Sequence, residues 1–265
     1  MKAYSFYIII PSFNQGQFVQ QTIDSILDQS VPARVIVMDG GSSDQTTKIL
    51  KSYGDKIYWH SKPDKGQTDA INQGLALAFT EIKKAKQSLD DVVIAYINSD
   101  DYYLPGAFSI AFEQFQFSDK NWLAGGCQIV DADGTGIMSL ISLYKQFFMR
   151  LLSWSILLIL NPISQPAVFI RASAIKKTGN FTEHLKFAMD YEYWLRLWQA
   201  VGSPLHAPEV LAAFRVHGSA KGSTGFQKQF DEQLHITKQY TNNQLVLFSQ
   251  KVHNALIVLI YSVLK

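Results

Sequence analysis

The first hundred residues alternate between short β-branched runs and stretches of helical period, and this alternation constrains the fold more than any other feature of the chain. Tyr7, Ile8, Ile9 and Ile10 read as a strand buried on both faces, whereas Phe18, Thr22, Ile23, Ile26 and Leu27 mark one face of a helix. Residues 35–38 form the next strand, and Thr46, Ile49, Leu50 and Tyr53 the next helix. A strand over 57–60, a helix carrying Ala70, Ile71, Gly74, Leu75 and Ala78, and a strand over 92–97 complete the series. Units of this kind predict an α/β fold with a mostly parallel sheet flanked by helices. The second half is less regular. It has an Asn161-Pro162 break, a helix over 190–200, and turns at Thr178-Gly179-Asn180 and Val201-Gly202-Ser203-Pro204, which suggests a second lobe packed on the first.

Open sheets of this type bind ligands beyond the carboxyl ends of their strands. Here those positions are polar: Pro11-Ser12-Phe13-Asn14, then Asp39-Gly40-Gly41-Ser42-Ser43-Asp44, then residues 61–66, and finally Asn98-Ser99-Asp100-Asp101. Adjacent carboxylates such as Asp100 and Asp101 repel each other unless a cation neutralises them, and Mg2+ or Mn2+ favours carboxylate oxygens together with those of a bound diphosphate. The competing reading is that one of the pair caps a helix over 102–108. Asp39, before two glycines that allow close backbone approach, suits hydrogen bonding to a base or ribose; alternatively the turn is structural, with Ser42 or Asp44 capping the next helix. The chain has neither GxGxxG after a strand nor GxxxxGK[ST], which argues against a dehydrogenase or a P-loop NTPase.

In order and spacing, IIIPSFNQGQFVQQTIDSIL, VIVMDGGSSDQT, KPDKGQTDAINQGL and AYINSDDYYLPGA resemble the nucleotide-binding half of the inverting family 2 glycosyltransferases. The resemblance continues through NPISQPAVFIRASA, FAMDYEYWLRL and AFRVHGSAKG, covering residues 6–225. It implies a GT-A, Rossmann-like fold in one domain over 1–265, with a nucleotide-binding half (1–104), an acceptor and catalytic half (105–220) and a C-terminal helical tail (221–265). Pro11, Phe13, Asn14, Asp39 and Lys65 would surround the base and ribose, and Asp69 would shape the same pocket. Asp100 would reach the ribose or metal and Asp101 the metal, while Asn98 stands where many relatives have aspartate. His217 would complete the metal shell or touch the diphosphate, the alternative being an ordinary histidine. Asp190 matches the catalytic base, with Glu192 as the second candidate; both also suit the first turn of a helix electrostatically. Gln165 and Arg171 lie in a segment with a pocket-lining or acceptor-side role, although a solvated Arg171 is an equal reading.

The resemblance thus implies transfer of a sugar from a nucleotide-diphosphate donor, UDP-linked by family expectation, to a saccharide or lipid-linked acceptor of a surface polysaccharide. A catalytically silent nucleotide- or glycan-binding partner in a polysaccharide assembly complex is the alternative. A sugar nucleotidyltransferase would carry a basic, glycine-rich phosphate loop, and PSFNQGQF is neither. Trp154, Tyr191, Tyr193, Trp194 and Trp198 would offer sugar-stacking faces, but the helical spacing of Tyr191, Trp194, Leu195 and Trp198 favours core packing.

With 47% hydrophobic residues the chain can bury a large core, and a net charge of +2 without basic runs argues against a nucleic-acid partner. Cys127, the sole cysteine, reads as a small buried hydrophobe in a reducing cytoplasm. The apolar run 7–10 is too short for a secretory leader, so the chain is expected to start near Met1. Runs 147–160 and 255–264 fall short of the ~20 residues that span a bilayer, leaving either core helices or peripheral contact with the inner face of the membrane.

Overall fold

A computed structural model describes residues 4–218 and 226–263. Strands β1 (Ser5–Ser12), β2 (Ala33–Asp39), β3 (Tyr58–Ser61) and β4 (Val92–Tyr96) pair in parallel in the order β3-β2-β1-β4. They are joined by helices α1 (Val19–Leu27), α2 (Thr46–Ser52) and α3 (Gln67–Lys84). β1 is apolar throughout because both its faces are covered: Ile9 points into a core shared with α3, and Ile8 and Ile10 into one shared with α1. Gly74 lets α3 lie close on the sheet, since a Cβ there would sit 2.6 Å from a methyl of Ile9.

Beyond β4 the sheet becomes mixed. A short β5 (Tyr102–Tyr103) and helix α4 (Ala107–Gln116) lead to β6 (Trp122–Val130) and β7 (Gly136–Ile137). Helices α5 (Ser139–Arg150) and α6 (Trp154–Ile159) precede β8 (Val168–Arg171) and α7 (Ala172–Thr178). Next come α8 (Met189–Val201), β9 (Leu205–Arg215), α9 (Phe226–Tyr240) and α10 (Gln244–Val263). Among the described residues one nine-stranded sheet results, with β8 antiparallel to β4 and β6, and the long β6–β9 pair parallel. The predicted turns after α7 and α8 end on Gly179 (φ 88°) and Gly202 (φ 86°), where positive φ favours glycine.

Several sequence expectations are corrected here. Asp100 and Asp101 cap no helix, because Tyr102 and Tyr103 enter the sheet and α4 begins only at Ala107. Run 147–160 is not one helix: it spans the end of α5 and all of α6, and Leu157 and Leu158 are buried. Tyr191, Tyr193 and Trp194 are core residues, the reading that helical spacing favoured for Tyr191 and Trp194, with Trp194 stacked on Trp122 at 5.8 Å; the alternative of a sugar platform falls away for these three. Trp154 and Trp198 pack on each other at the core margin. Arg171 is neither solvated nor in the cleft. It is buried at the opposite end of β4, where its guanidinium donates to the carbonyls of Asp90, Phe115, Ser118 and Lys120 and to the Tyr4 hydroxyl. Run 255–264 lies in α10 up to Val263, and Leu264 is outside the described residues; so are residues 219–222 of the last quoted motif. No helix among the described residues is long and apolar enough to cross a membrane. Cys127 is buried, as expected, and burial pushes its thiol up to about 12.

Candidate active site

The loops leaving β1, β2 and β3 are bound to one another. Asn14, in the left-handed region (φ 52°), donates its amide to Ser42 Oγ (2.7 Å) and accepts the Ser43 amide on its side chain (2.9 Å). The buried Asp39 carboxylate accepts the amides of Gly41 (3.2 Å) and Ser42 (2.9 Å), and the hydroxyls of Ser42 and Ser61 (2.6 Å to the latter). Four donors fill a carboxylate. Asp39 therefore organises the glycine turn. A Cβ at Gly40 would lie 2.9 Å from an Asp64 oxygen, which is why the turn can sit against the loop after β3.

Asp44 accepts the Thr46 amide at the start of α2 and the Gly16 amide, both at 2.9 Å, so the capping role predicted as an alternative is present. Burial acts to raise the Asp44 carboxyl, but the Thr46 hydroxyl, which also donates to it, and then the two amides hold it below the usual range. Asp69 accepts the Lys65 amide (3.0 Å), which lowers its own pKa and pins the turn before α3. Lys65 itself extends into solvent, 4.0 Å from Glu183. Pro11 is buried in β1, while Phe13 stands 60% exposed on the rim.

After β4 the two adjacent aspartates separate. Asp101 is 1% exposed and turned into the protein, where it accepts the Arg215 amide (2.8 Å) and the Asn98 side-chain amide (3.3 Å). Burial, and then the neighbouring Asp100, push its carboxyl well above the ordinary range. The Asp100 carboxylate instead meets His217 Nε2 at 3.0 Å, and the imidazole lies against the Phe18 ring at 4.7 Å. The structure thus pairs Asp100, not Asp101, with His217. Asn98 also accepts from Gln67, so it links the β4 loop to α3.

Asp190 lies in the first turn of α8, where it accepts the Tyr191 amide (2.7 Å). It is half-buried, and desolvation raises its carboxyl, opposed by that amide and by the charge of Lys145. The buried Tyr96 hydroxyl of β4 is raised by its burial, then by Asp190 and then by Asp101, so it lies in the field of both carboxylates. Glu192 is committed elsewhere: it forms a salt bridge with Arg196 and accepts the Thr182 hydroxyl at 3.1 Å, inside a closed cluster. Gln165 donates to the Tyr96 carbonyl (2.7 Å), bracing the end of β4.

The sequence model for the family described as Glycosyl transferase family 2 matches residues 7–177, well over half of the chain. The chain belongs to that family. An uncharacterized glycosyltransferase of Rickettsia typhi is 25% identical over 257 residues, covering 94% of this chain and 76% of the relative. The chondroitin synthase of Pasteurella multocida is 25% identical over 245 residues, covering 90% of this chain but 23% of that larger protein. In three dimensions the chain is similar to S. aureus TarS 1-349 in complex with UDP-GlcNAc (TM-score 0.65, 18% identity, 91% of this chain and 67% of that one). It is similar, too, to the mannosyltransferase PcManGT of Pyrobaculum calidifontis in complex with GDP-Man and Mn2+ (TM-score 0.64, 12% identity, 94% and 69%). These likenesses support the GT-A α/β fold.

Other polar residues of this glycosyltransferase escaped the sequence reading. Arg215 is buried; its guanidinium donates to the carbonyls of Asp100 (2.8 Å) and Ala132 (2.6 Å) and to the Gln21 side chain, and lies over the rings of Phe18 and Tyr102. Its only signal was position, two residues before His217. Glu232 of α9 accepts the amides of Lys186, Phe187 and Ala188 and so fixes the approach to α8. Lys145, on the inner face of α5, donates to Ser164 Oγ (3.3 Å). Burial lowers its pKa, while Cys127 and Asp190 act to raise it.

Proposed function

We propose that this family 2 enzyme catalyses metal-assisted, inverting transfer of a sugar from a nucleoside-diphosphate donor to a hydroxyl of a saccharide or lipid-linked acceptor. The observation that carries the reading is the Asp100–His217 pair, which lies in the segment after β4, beyond the carboxyl end of a central strand of the sheet. Mn2+ or Mg2+ suits this donor set. Such ions bind through one or two protein groups and take the rest of their shell from substrate phosphates and water, and no cluster of three or more acidic, histidine or cysteine side chains converges among the described residues. Asp100 and His217 would hold the ion, with Asp101 behind them fixing the loop through the Arg215 amide. When bound, the cation supplies Lewis acidity to the departing diphosphate.

The residues of the chain do the remainder. Phe13, exposed on the rim, offers a stacking face to the base, and Asp39 offers an oriented acceptor for a base N–H once a serine hydroxyl yields. Pro11, Asn14, Lys65 and Asp69 set the loop walls. Asp190 accepts the proton of the acceptor hydroxyl as its oxygen bonds to the anomeric carbon and the bond from that carbon to the diphosphate oxygen breaks. A single displacement inverts the centre. UDP-linked donors are favoured by the UDP-GlcNAc complex of TarS, and GDP- or dTDP-linked sugars are the competing donors.

The test is release of nucleoside diphosphate from a panel of UDP-, GDP- and dTDP-sugars in the presence of Mn2+, for wild type and Asp190→Asn. One donor should be turned over, with the rate falling by about 10²–10⁴-fold in the variant while nucleotide affinity is kept. Turnover unaffected by Asp190→Asn would remove Asp190 as the base. No turnover of any donor would favour the silent-partner reading.

A further inference from the structure

We propose that α5 and α10 form a docking face for a lipid bilayer carrying anionic headgroups. Apart from Phe13 and Phe117, the exposed large apolar side chains among the described residues all belong to these two helices and the residues flanking α5. On α5 and its C-terminal flank they are Leu140 (80% exposed), Leu143, Phe147 and Leu151. On α10 they are Leu245 (76% exposed), Phe248, Val252 and Leu256. Both sets follow the same spacing, i, i+3, i+7 and i+11, so each makes one stripe along one helix face. The helices adjoin, since the Tyr144 hydroxyl meets His253 Nε2 at 2.6 Å and their rings stack.

Neither stripe serves the core of the protein. The buried face of α5 carries Met149 and that of α10 carries Leu247, Gln250 and Asn254; Gln250 is hydrogen-bonded to Thr237 of α9. α10 therefore turns two amides inward beside Leu247 and sets Leu245, Phe248, Val252 and Leu256 outward, where a helix whose outer face meets water would carry polar residues. Exposed apolar stripes on two adjoining helices mark an interaction site.

Charge selects the occupant. Residues 134–182 contain no Asp or Glu, nor does the chain after Glu232, whereas Arg150 and Lys251 are exposed beside the two stripes. Apolar stripes with basic flanks, on two helices that carry no acidic side chain, match interfacial helices lying in the headgroup region of anionic lipid. Beside α5 a surface groove of about 450 Å³, lined by Leu140, Leu143, Tyr144, Gln146, Phe147 and Arg150, is open to an acyl chain. α5 also carries Lys145 on its opposite face, toward Ser164 and the field of Asp190, so a bilayer seated on the helix would lie next to the acceptor side of the cleft.

The experiment is flotation of the whole chain with phosphatidylcholine vesicles, with and without phosphatidylglycerol. It is repeated for Phe147→Ser combined with Phe248→Ser, and for Arg150→Glu combined with Lys251→Glu. All four positions are exposed, and thermal melting checks that each variant is folded. The wild type should float with vesicles containing phosphatidylglycerol. The apolar variant should partition about tenfold less or weaker still, and the charge variant should lose the preference for the anionic vesicles. Absence of flotation with either vesicle would overturn the proposal. So would a lipid-free dimer, detected by sedimentation velocity, that the apolar variant converts to monomer, since the stripes would then belong to a second copy.

Discussion

Asp190, half-buried, and Arg171, buried, show how differently two charges act in this chain. Folding raises the Asp190 carboxyl, chiefly by desolvation, so the folded state binds its proton more tightly than the unfolded state does. Stability from this group is complete below the unfolded carboxylate range and is lost as pH rises through the raised value. Asp190→Asn should therefore melt at a higher temperature than wild type near neutrality, with the difference closing in acid; a melting series across pH measures it. With Asp190 as the proposed base, the same shift is expected to place the acidic limb of the transfer rate above the ordinary carboxylate range, because a base acts only when ionised. Arg171 contributes through its hydrogen bonds to four carbonyls and a phenol. Arg171→Ala should cost ~3 kcal/mol or more, from buried acceptors left unpaired, by denaturant unfolding, and leave nucleotide affinity unchanged. From the sequence Arg171 belonged to a conspicuous motif, but its distant partners, such as Tyr4 and Asp90, could not be identified there.

At the scale of elements, the strands and helices of the first half were legible because each carries its own period. β1 is apolar on both faces, α3 is apolar on one, and the polar residues fall at the strand ends. Gly74 was visible as part of the α3 stripe, but its reason was not: the close approach to Ile9 exists only once helix and sheet are stacked. Gly74→Val should cost about 1–3 kcal/mol by overpacking, measured as a lowered unfolding midpoint, and should weaken nucleotide binding only in proportion to unfolding. The second half resisted the same treatment. β8 and β9 are short or irregular, β9 joins β6 through a register shift, and the cap that orients the approach to α8 comes from Glu232 in another helix. Asp190 itself was identified from the family resemblance, whereas the residues that set its position are remote in sequence.

For the molecule as a whole, one sheet carries both halves of the site. β4 delivers Asp100 at its end, β9 delivers His217 just beyond its own, and pairing of β5 with β9 holds them in register. Arg215, between them, locks the two loops through the carbonyls of Asp100 and Ala132. The resemblance named Asp100, Asp101 and His217 together. Only the folded chain separates them, turning Asp101 into the interior and leaving Asp100 beside the imidazole. The most direct test of this arrangement is calorimetric titration with UDP, GDP and dTDP, with and without Mn2+, of the wild type, Asp100→Ala and His217→Ala. The account predicts metal-dependent binding of one nucleotide to the wild type, with the metal dependence lost in both variants and any metal-independent binding kept. Binding to the wild type that ignores Mn2+, or metal-dependent binding that survives both substitutions, would contradict it.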